Sequence, residues 1–329
     1  MDETVASGSG ATMPADPLRV PDGPPLVVSI VVNFRGRSDT LACVDSLLKV
    51  DYSNHLVVVV ENGSGADEAD ALEAALPARV KLLRSDTNLG YGGAANLGLR
   101  WAVETGATYA WVLNNDTTVD ARSVAELVRA MDSDPRCGAS SPQIEAPVGD
   151  EAPRGVWYAG ATVDLRRVST KHALDLVETG DLLVPTGFVS GCAMFLRLGA
   201  VTEVGPFWER LFLYWEDVEL SLRLSAAGWG LAVAPGARIR HLVHGSVQSS
   251  VARYYYYRNA TLVARRCLGV RGAARAFLAL FSRAGRRWLA CTIKGRRPWP
   301  GPETRGLFAG AVAVLRGVGR NRREGSPAL

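Results

Sequence analysis

The sequence has no pair of cysteines at the spacing of a metal site or a redox motif. Its five cysteines, Cys43, Cys137, Cys192, Cys267 and Cys291, are scattered and odd in number. That excludes a disulfide framework and a cysteine-based zinc site, and points to a reducing compartment. No apolar run approaches the roughly 20 residues that a membrane helix needs. The first 24 residues are rich in Gly, Pro, Ser and Asp and lack the apolar centre of a secretory signal, so residues 1–24 read as a disordered leader. No internal repeat is visible. No nucleic-acid-binding motif accompanies the basic residues, so nucleic acid is not expected as a partner.

What is present is a chain of 329 residues, 47% hydrophobic, long enough for a large core. Its net charge of +4 hides a split: after residue 252 there are 17 Arg and Lys against two acids, Glu303 and Glu324. An acidic body therefore carries a basic C-terminal arm, expected to be helical over residues 251–329 with a disordered tail. Two readings of the arm stay open. Its apolar face packs on the body, or the arm meets an anionic membrane surface.

Between these ends, apolar runs of strand length alternate with amphipathic segments. "LVVSIVVN", "LVVVV", "VKLL" and "YAWVL" read as strands, and "SDTLACVDSLLKV", capped at Ser38, as the first intervening helix. The alternation through residue 135 predicts an α/β domain over 25–250 with a doubly wound, mostly parallel sheet. Ligands bind beyond the carboxyl ends of such strands. Here those ends are all polar: Asn33-Phe34-Arg35, Glu61-Asn62-Gly63, Ser85 to Asn88, and Asn114-Asn115-Asp116. Further on, "VWYAGATVDL" reads as one strand. "WEDVELSLRLSAAGWG" reads as a helix with an acidic first turn after a run of aromatic residues.

"GYGGAA", residues 90–95, fits a dinucleotide-binding fingerprint, but it does not turn directly off the first strand of its unit. It is better read as a place where backbone approaches a ligand and a helix N-terminus faces an anion.

The pieces "SIVVNFRG", "VVENGS", "NLGYGGAANLG", "VLNNDTTVD", "GCAMFLR", "FLYWEDVELSLRLSAAGWG", "HLVHGS" and "YYYYRN" occur in one order from about Val27 to Asn259. Together they resemble family 2 glycosyltransferases of the GT-A fold, in the rhamnosyl- and galactofuranosyltransferase-like branch. The resemblance implies roles. Asn114, Asn115 and Asp116 occupy the place of the family's DxD motif, with Asp116 on a divalent cation, Mg²⁺ or Mn²⁺. Asn114 stands where the family has its first Asp and brings no charge. Asn33, Arg35 and Glu61 would face the nucleoside, and Asn88, Gly90 and Asn96 would line the nucleotide or sugar. Asp217 matches the catalytic base, with Glu216 beside it. His241 matches a metal-binding histidine, and His244 stands as its alternative.

The implied reaction is inverting transfer from a nucleotide sugar, dTDP-L-rhamnose first and UDP-sugars second, to a hydroxyl of a glycan, a lipid-linked acceptor or a small molecule. The implied place is the cytoplasm or the inner face of the membrane. Two other classes remain. A sugar nucleotidyltransferase would need a longer, glycine-rich loop than "NFRGRSDT". A non-catalytic nucleotide-sugar-binding protein would not need both Asp116 and Asp217.

Overall fold

β1 (Val27–Asn33) is buried at every residue. Such a strand needs neighbours on both edges and cover on both faces, as the middle of a parallel sheet provides. In the computed structural model, which describes residues 23–148, 152, 155–243, 249–293 and 301–316, it has both. α1 (Arg37–Leu47), β2 (His55–Asn62), α2 (Ala66–Ala75), β3 (Lys81–Ser85), α3 (Gly90–Glu104) and β4 (Tyr109–Asn114) follow in alternation. β1 pairs in parallel with β2 and β4, and β2 with β3, giving the order 3-2-1-4. The order reverses between β1 and β4, so the crevice of this half opens beyond Asn33 and Asn114.

The second half extends the sheet. β5 (Thr117–Val119), α4 (Ser123–Ser133), β6 (Cys137–Glu145), β7 (Val156–Tyr158), β8 (Ala161–Asp164), β9 (Ser169–His172), β10 (Val184–Pro185), β11 (Ala193–Arg197), α5 (Leu198–Val204), α6 (Glu216–Ala226) and β12 (Gly230–His241) succeed one another. β11 lies antiparallel between β4 and β6. β12 runs parallel to β6, shifts register between Ala234 and Arg238, and pairs antiparallel with β5 at its end. The expected mostly parallel, doubly wound α/β sheet is therefore present, with antiparallel pairings confined to its second half.

Two local expectations are corrected. Ser38 does not cap α1. The helix begins at Arg37 after Gly36, and the turn is held from β1, where Asn33 Oδ1 accepts from the Gly36 N–H and the Thr40 hydroxyl. "VWYAGATVDL" is two strands, because Gly160 (φ 110°) ends β7 and lets β8 pair with β9 as a separate ribbon. Within the region expected to be helical, α8 (Pro302–Leu315) starts with proline in its first turn. Residues 1–22 of the leader, residues 317–329 of the tail and His244 lie outside the described residues.

The basic arm forms α7 (Ser249–Ile293), broken at Gly269 (φ 71°), together with α8. Tyr257, Ala260, Leu262, Val263, Ala264, Ala276 and Leu280 belong to one hydrophobic cluster with residues of β2, β4 and β12. Polar contacts reinforce it. Arg266 Nε lies 2.9 Å from Oε1 of the fully buried Glu219 on α6, and Arg283 donates to the Val168 and Arg167 carbonyls. The apolar face of α7 thus packs on the body.

If α7 is part of one cooperative core, truncating its fully buried Leu262 removes apolar contacts and leaves a cavity. Leu262→Ala is expected to lower the unfolding free energy by about 2–5 kcal/mol in chemical denaturation. A loss below about 0.5 kcal/mol, the scale of a surface change, would show that α7 is energetically separate from the sheet.

Candidate active site

Strand ends supply one side of the site. β4 ends at Asn114, and β5 begins at Thr117, so Asn115 and Asp116 form the corner between them. The Asn115 amide donates to the Gly36 carbonyl and Thr40 Oγ1, tying the corner to the end of β1. The Asp116 carbonyl accepts from Leu242 N–H. β5 pairs with β12 so that Thr117 faces His241. The result is contact between Asp116 Oδ1 and His241 Nε2 at 3.1 Å, with both residues buried. Trp157 packs edge-on to the His241 ring, and His241 Nδ1 has no hydrogen-bond partner.

The other side comes from the start of α6. Trp215 caps this helix in a left-handed conformation (φ 73°) and aims Glu216 and Asp217 inward. Gly191 N–H donates to Asp217 Oδ2 and Val218 N–H to Oδ1. The same Gly191 accepts the Tyr91 hydroxyl at its carbonyl. Gly191 therefore links the first turn of α3 to the first turn of α6.

The two acids have different environments. Burial and then the charge of Asp217 push the Glu216 carboxyl up to about 8, and Glu216 Oε2 has no partner. Asp217 is recessed but retains solvent contact. Burial raises it too, opposed by its two backbone N–H donors and by the charge of His172. Glu216 therefore holds its proton near neutral pH, whereas the two backbone donors favour the charged form of Asp217. Tyr91 reports how these groups converge. Its hydroxyl is pushed well above its ordinary value by burial, and then by Cys192, Glu216, Asp217 and Asp116.

The remaining expected residues divide by what holds them. Arg35 is exposed, with φ 55°, and its N–H donates to Ser64 Oγ. A cleft of about 510 Å³ opens beside it, lined by Arg37 and Ser64 to Glu68. Glu61 is buried and accepts from Gly63 and Ser64 N–H within its own turn. Asn33 is buried, with Oδ1 engaged and Nδ2 without a partner. Asn88 Oδ1 accepts from Gly90 N–H and from Asn62. Asn96 is fully buried and grips Phe207 through its N–H and carbonyl. Gly90 has φ 77°, and a Cβ there would lie 2.3 Å from the Phe212 carbonyl oxygen, so only glycine admits this approach. The close approach expected at "GYGG" is thus made to the chain before α6.

Sequence reasoning missed Tyr91, Gly191, Asn62 and His172. Tyr91, Gly191 and Asn62 lay inside motifs already noted, but the contact between Tyr91 and Gly191 depends on tertiary structure alone.

Asp116 and His241 offer one carboxylate oxygen and one imidazole nitrogen. Among the described residues no group of three or more His, Cys, Asp or Glu stands ready for a metal. This pair suits a divalent cation that takes its other ligands from phosphate oxygens and water.

Residues 29–183 match the model of the family described as Glycosyl transferase family 2, and residues 111–293 that of Glycosyl transferase family group 2. An N-acetylglucosaminyl-diphospho-decaprenol L-rhamnosyltransferase of Mycobacterium tuberculosis is 32% identical over 204 residues, 56% of this chain and 66% of that protein. The chain thus spans slightly less than two thirds of this relative. Galactofuranosyltransferase GlfT1 of Mycolicibacterium smegmatis is 28% identical over 62% of this chain and 66% of its own. Among solved structures, mannosyltransferase PcManGT from Pyrobaculum calidifontis, in complex with GDP-Man and Mn²⁺, shares the fold with a TM-score of 0.54 at 16% identity. That match covers 92% of this chain and 90% of that one.

A buried acid that keeps its proton only when folded makes stability depend on pH. Below the unfolded carboxyl value Glu216 is protonated in both states and contributes nothing. As pH rises toward about 8 the unfolded state sheds the proton first, so folding is progressively penalised. Wild-type stability should therefore fall between about pH 5 and 8, and Glu216→Gln should flatten that fall, measured as Tm against pH. Parallel profiles for the two proteins would show that Glu216 is ionised in the folded state.

Proposed function

The chain belongs to glycosyltransferase family 2, and from that premise we propose that it transfers a sugar, with inversion, from a nucleotide sugar to an acceptor hydroxyl. The observation that carries this reading is the convergence of Asp116, Glu216 and Asp217 on Tyr91. It supports a metal-capable acid and a candidate base acting together at the carboxyl ends of the strands.

In this reading the nucleoside lies toward Arg35 and the cleft at Ser64 to Glu68, and the diphosphate toward Asn114, Asn115 and Asp116. Asp116 and His241 would hold Mg²⁺ or Mn²⁺, which when bound offsets the charge that develops on the leaving diphosphate. Asp217 takes the proton of the acceptor hydroxyl as its oxygen bonds to the anomeric carbon and the bond from that carbon to the diphosphate breaks. The backbone N–H groups of Gly191 and Val218 keep Asp217 charged and oriented. Glu216, protonated, adds no second negative charge beside it.

We favour a dTDP-L-rhamnose donor, with UDP-galactofuranose second, because the named relatives carry these two chemistries. The acceptor in this reading is a lipid-linked cell-envelope glycan. No helix among the described residues is long and apolar enough to cross a membrane. The reading therefore adds a peripheral contact with an anionic bilayer at its cytoplasmic face. What supports it is the outer surface of the helical arm, where Leu278, Phe281, Phe308, Val312 and Leu315 are exposed among exposed Arg271, Arg275, Arg305 and Arg316.

Two experiments test this. Screening nucleotide sugars for Mn²⁺-dependent thermal protection identifies the donor. Asp116→Ala is then expected to lose the metal dependence, whereas Asp217→Asn keeps near-normal donor affinity and turns over at least about a hundredfold more slowly. Normal turnover by folded Asp217→Asn would mean that Asp217 only holds the Gly191 and Val218 N–H groups at the start of α6.

Vesicle flotation addresses the location. The protein should float with anionic but not zwitterionic vesicles at low salt, and Phe308→Glu with Leu315→Glu should abolish it. Absence of flotation at low salt would remove the membrane from the reading.

A further inference from the structure

The segment that leads into α6 is held in a conformation its own residues disfavour. Phe212, Tyr214 and Trp215 have φ of 65°, 67° and 73°. Three bulky side chains in the left-handed region within four residues persist only where surrounding contacts impose that backbone. Two walls impose it here. On one side stands α3. Asn96 grips Phe207, and Tyr91 N–H donates to the Phe212 carbonyl at 2.7 Å.

On the other side stands α7, through one residue. Asn259 is fully buried. Its Nδ2 lies 2.7 Å from the Leu211 carbonyl oxygen, 2.8 Å from that of Leu213 and 2.8 Å from that of Tyr214. Its Oδ1 accepts from Arg258 Nη1 at 2.7 Å, and Arg258 in turn donates to the Arg210 carbonyl at 3.0 Å. One carboxamide thus gathers three carbonyls of a strained loop and is itself braced by its neighbour. Of these oxygens, that of Leu211 also accepts the Leu213 N–H within the loop. Only a residue with N–H donors at this length satisfies them: Asp brings repulsion, and Leu the same shape without donors.

We propose that Asn259 is a positioning residue of the active site, by which α7 clamps residues 211–215 and so fixes how α6 presents Asp217. The proposal rests on the reading of Asp217 as the base. Trp215 is the link: it caps α6, and its left-handed backbone sets the direction in which Glu216 and Asp217 leave the loop. α7 grips the same helix a second time, where Arg266 meets Glu219, two residues beyond Asp217. The arm is in this view a structural half of the catalytic apparatus as well as a basic surface.

The test uses the full-length protein with Asn259→Asp and Asn259→Leu. Hydrogen–deuterium exchange reads the loop without any assumption about activity. Amides of residues 207–218 should exchange at least about tenfold faster, while those of β1, β2 and β4 stay unchanged. Binding of dTDP and UDP with Mn²⁺ should hold within about twofold, and kcat should fall at least about tenfold with donor KM within about threefold. A merely structural residue would instead raise exchange throughout the sheet and weaken nucleotide binding in parallel. Should either variant fail to fold, Asn259→Ala, which removes the carboxamide without adding charge or bulk, gives the same local readout. Unchanged exchange in the loop, or unchanged kcat, overturns the clamp. Wild-type turnover by Asp217→Asn overturns the base assignment instead, and leaves the exchange result to judge the loop on its own.

Discussion

The antiparallel pairing of three-residue β5 with the end of β12 is the contact on which the candidate site depends. β4 alone would deliver Asp116 to the edge of the sheet and leave it facing solvent. β12 alone would end at His241 with nothing to meet. Their pairing sets His241 across from Thr117 and so puts its imidazole against Asp116. The joint is braced from the first half of the fold, where Ser46 of α1 accepts from the Val119 N–H and Asn115 bonds to the turn before α1. The register shift in β12 between Ala234 and Arg238 belongs to the same design. It lets one strand follow β6 over most of its length and still turn its last residues toward β5.

Burial gives this assembly its electrostatic character. Water is excluded well enough that Cys43 is pushed up to about 12 and Cys192 well above its usual value, each first by burial. Both thiols are therefore neutral at physiological pH and are poor candidates for metal ligands. The same exclusion makes neighbouring carboxylates costly to ionise together. The fold resolves that cost by unequal solvation. Asp217 receives two backbone N–H groups at the positive end of α6. Glu216 receives none from its neighbours on Oε2 and keeps its proton. Backbone geometry thereby favours charge on Asp217 and neutrality on Glu216, a difference that the dipeptide Glu-Asp by itself does not disclose.

Much of the sheet was legible because buried parallel strands leave long apolar runs, as in "LVVVV" and "YAWVL", and because turn residues end each of them. The family motifs likewise located the acids. Less legible was what each polar strand end does. Asn33 and Glu61 looked like groups facing a ligand, yet their hydrogen bonds run inward to Thr40 and Ser64. A buried strand end must satisfy its turn before it can serve a ligand, and sequence does not separate the two demands. Ser38 misled for a related reason: a side chain from β1 held the turn that a local cap was expected to hold.

The charge asymmetry acquires a structural meaning once the arm is seen in place. A basic segment beside an acidic body reads in sequence as a separate appendage. In the fold, several of its arginines are bound to the body. Arg258 donates to a carbonyl and to Asn259, Arg266 shares the buried Glu219 with Arg223 and lies over Trp208, and Arg283 caps the carbonyls of residues 167 and 168. These tasks suit arginine better than lysine, because a planar fork of N–H donors reaches two acceptors while its flat face rests on an aromatic ring. Glu219 shows how tightly the roles are bound. It is completely buried, and removing either guanidinium would leave its charge under-compensated in a low-dielectric interior. Part of the arm's positive charge therefore balances and anchors the start of α6, next to Asp217, and only the outward-facing remainder is left for a surface. The point where the composition changes is thus crossed by contacts between the arm and the helix that carries Asp217.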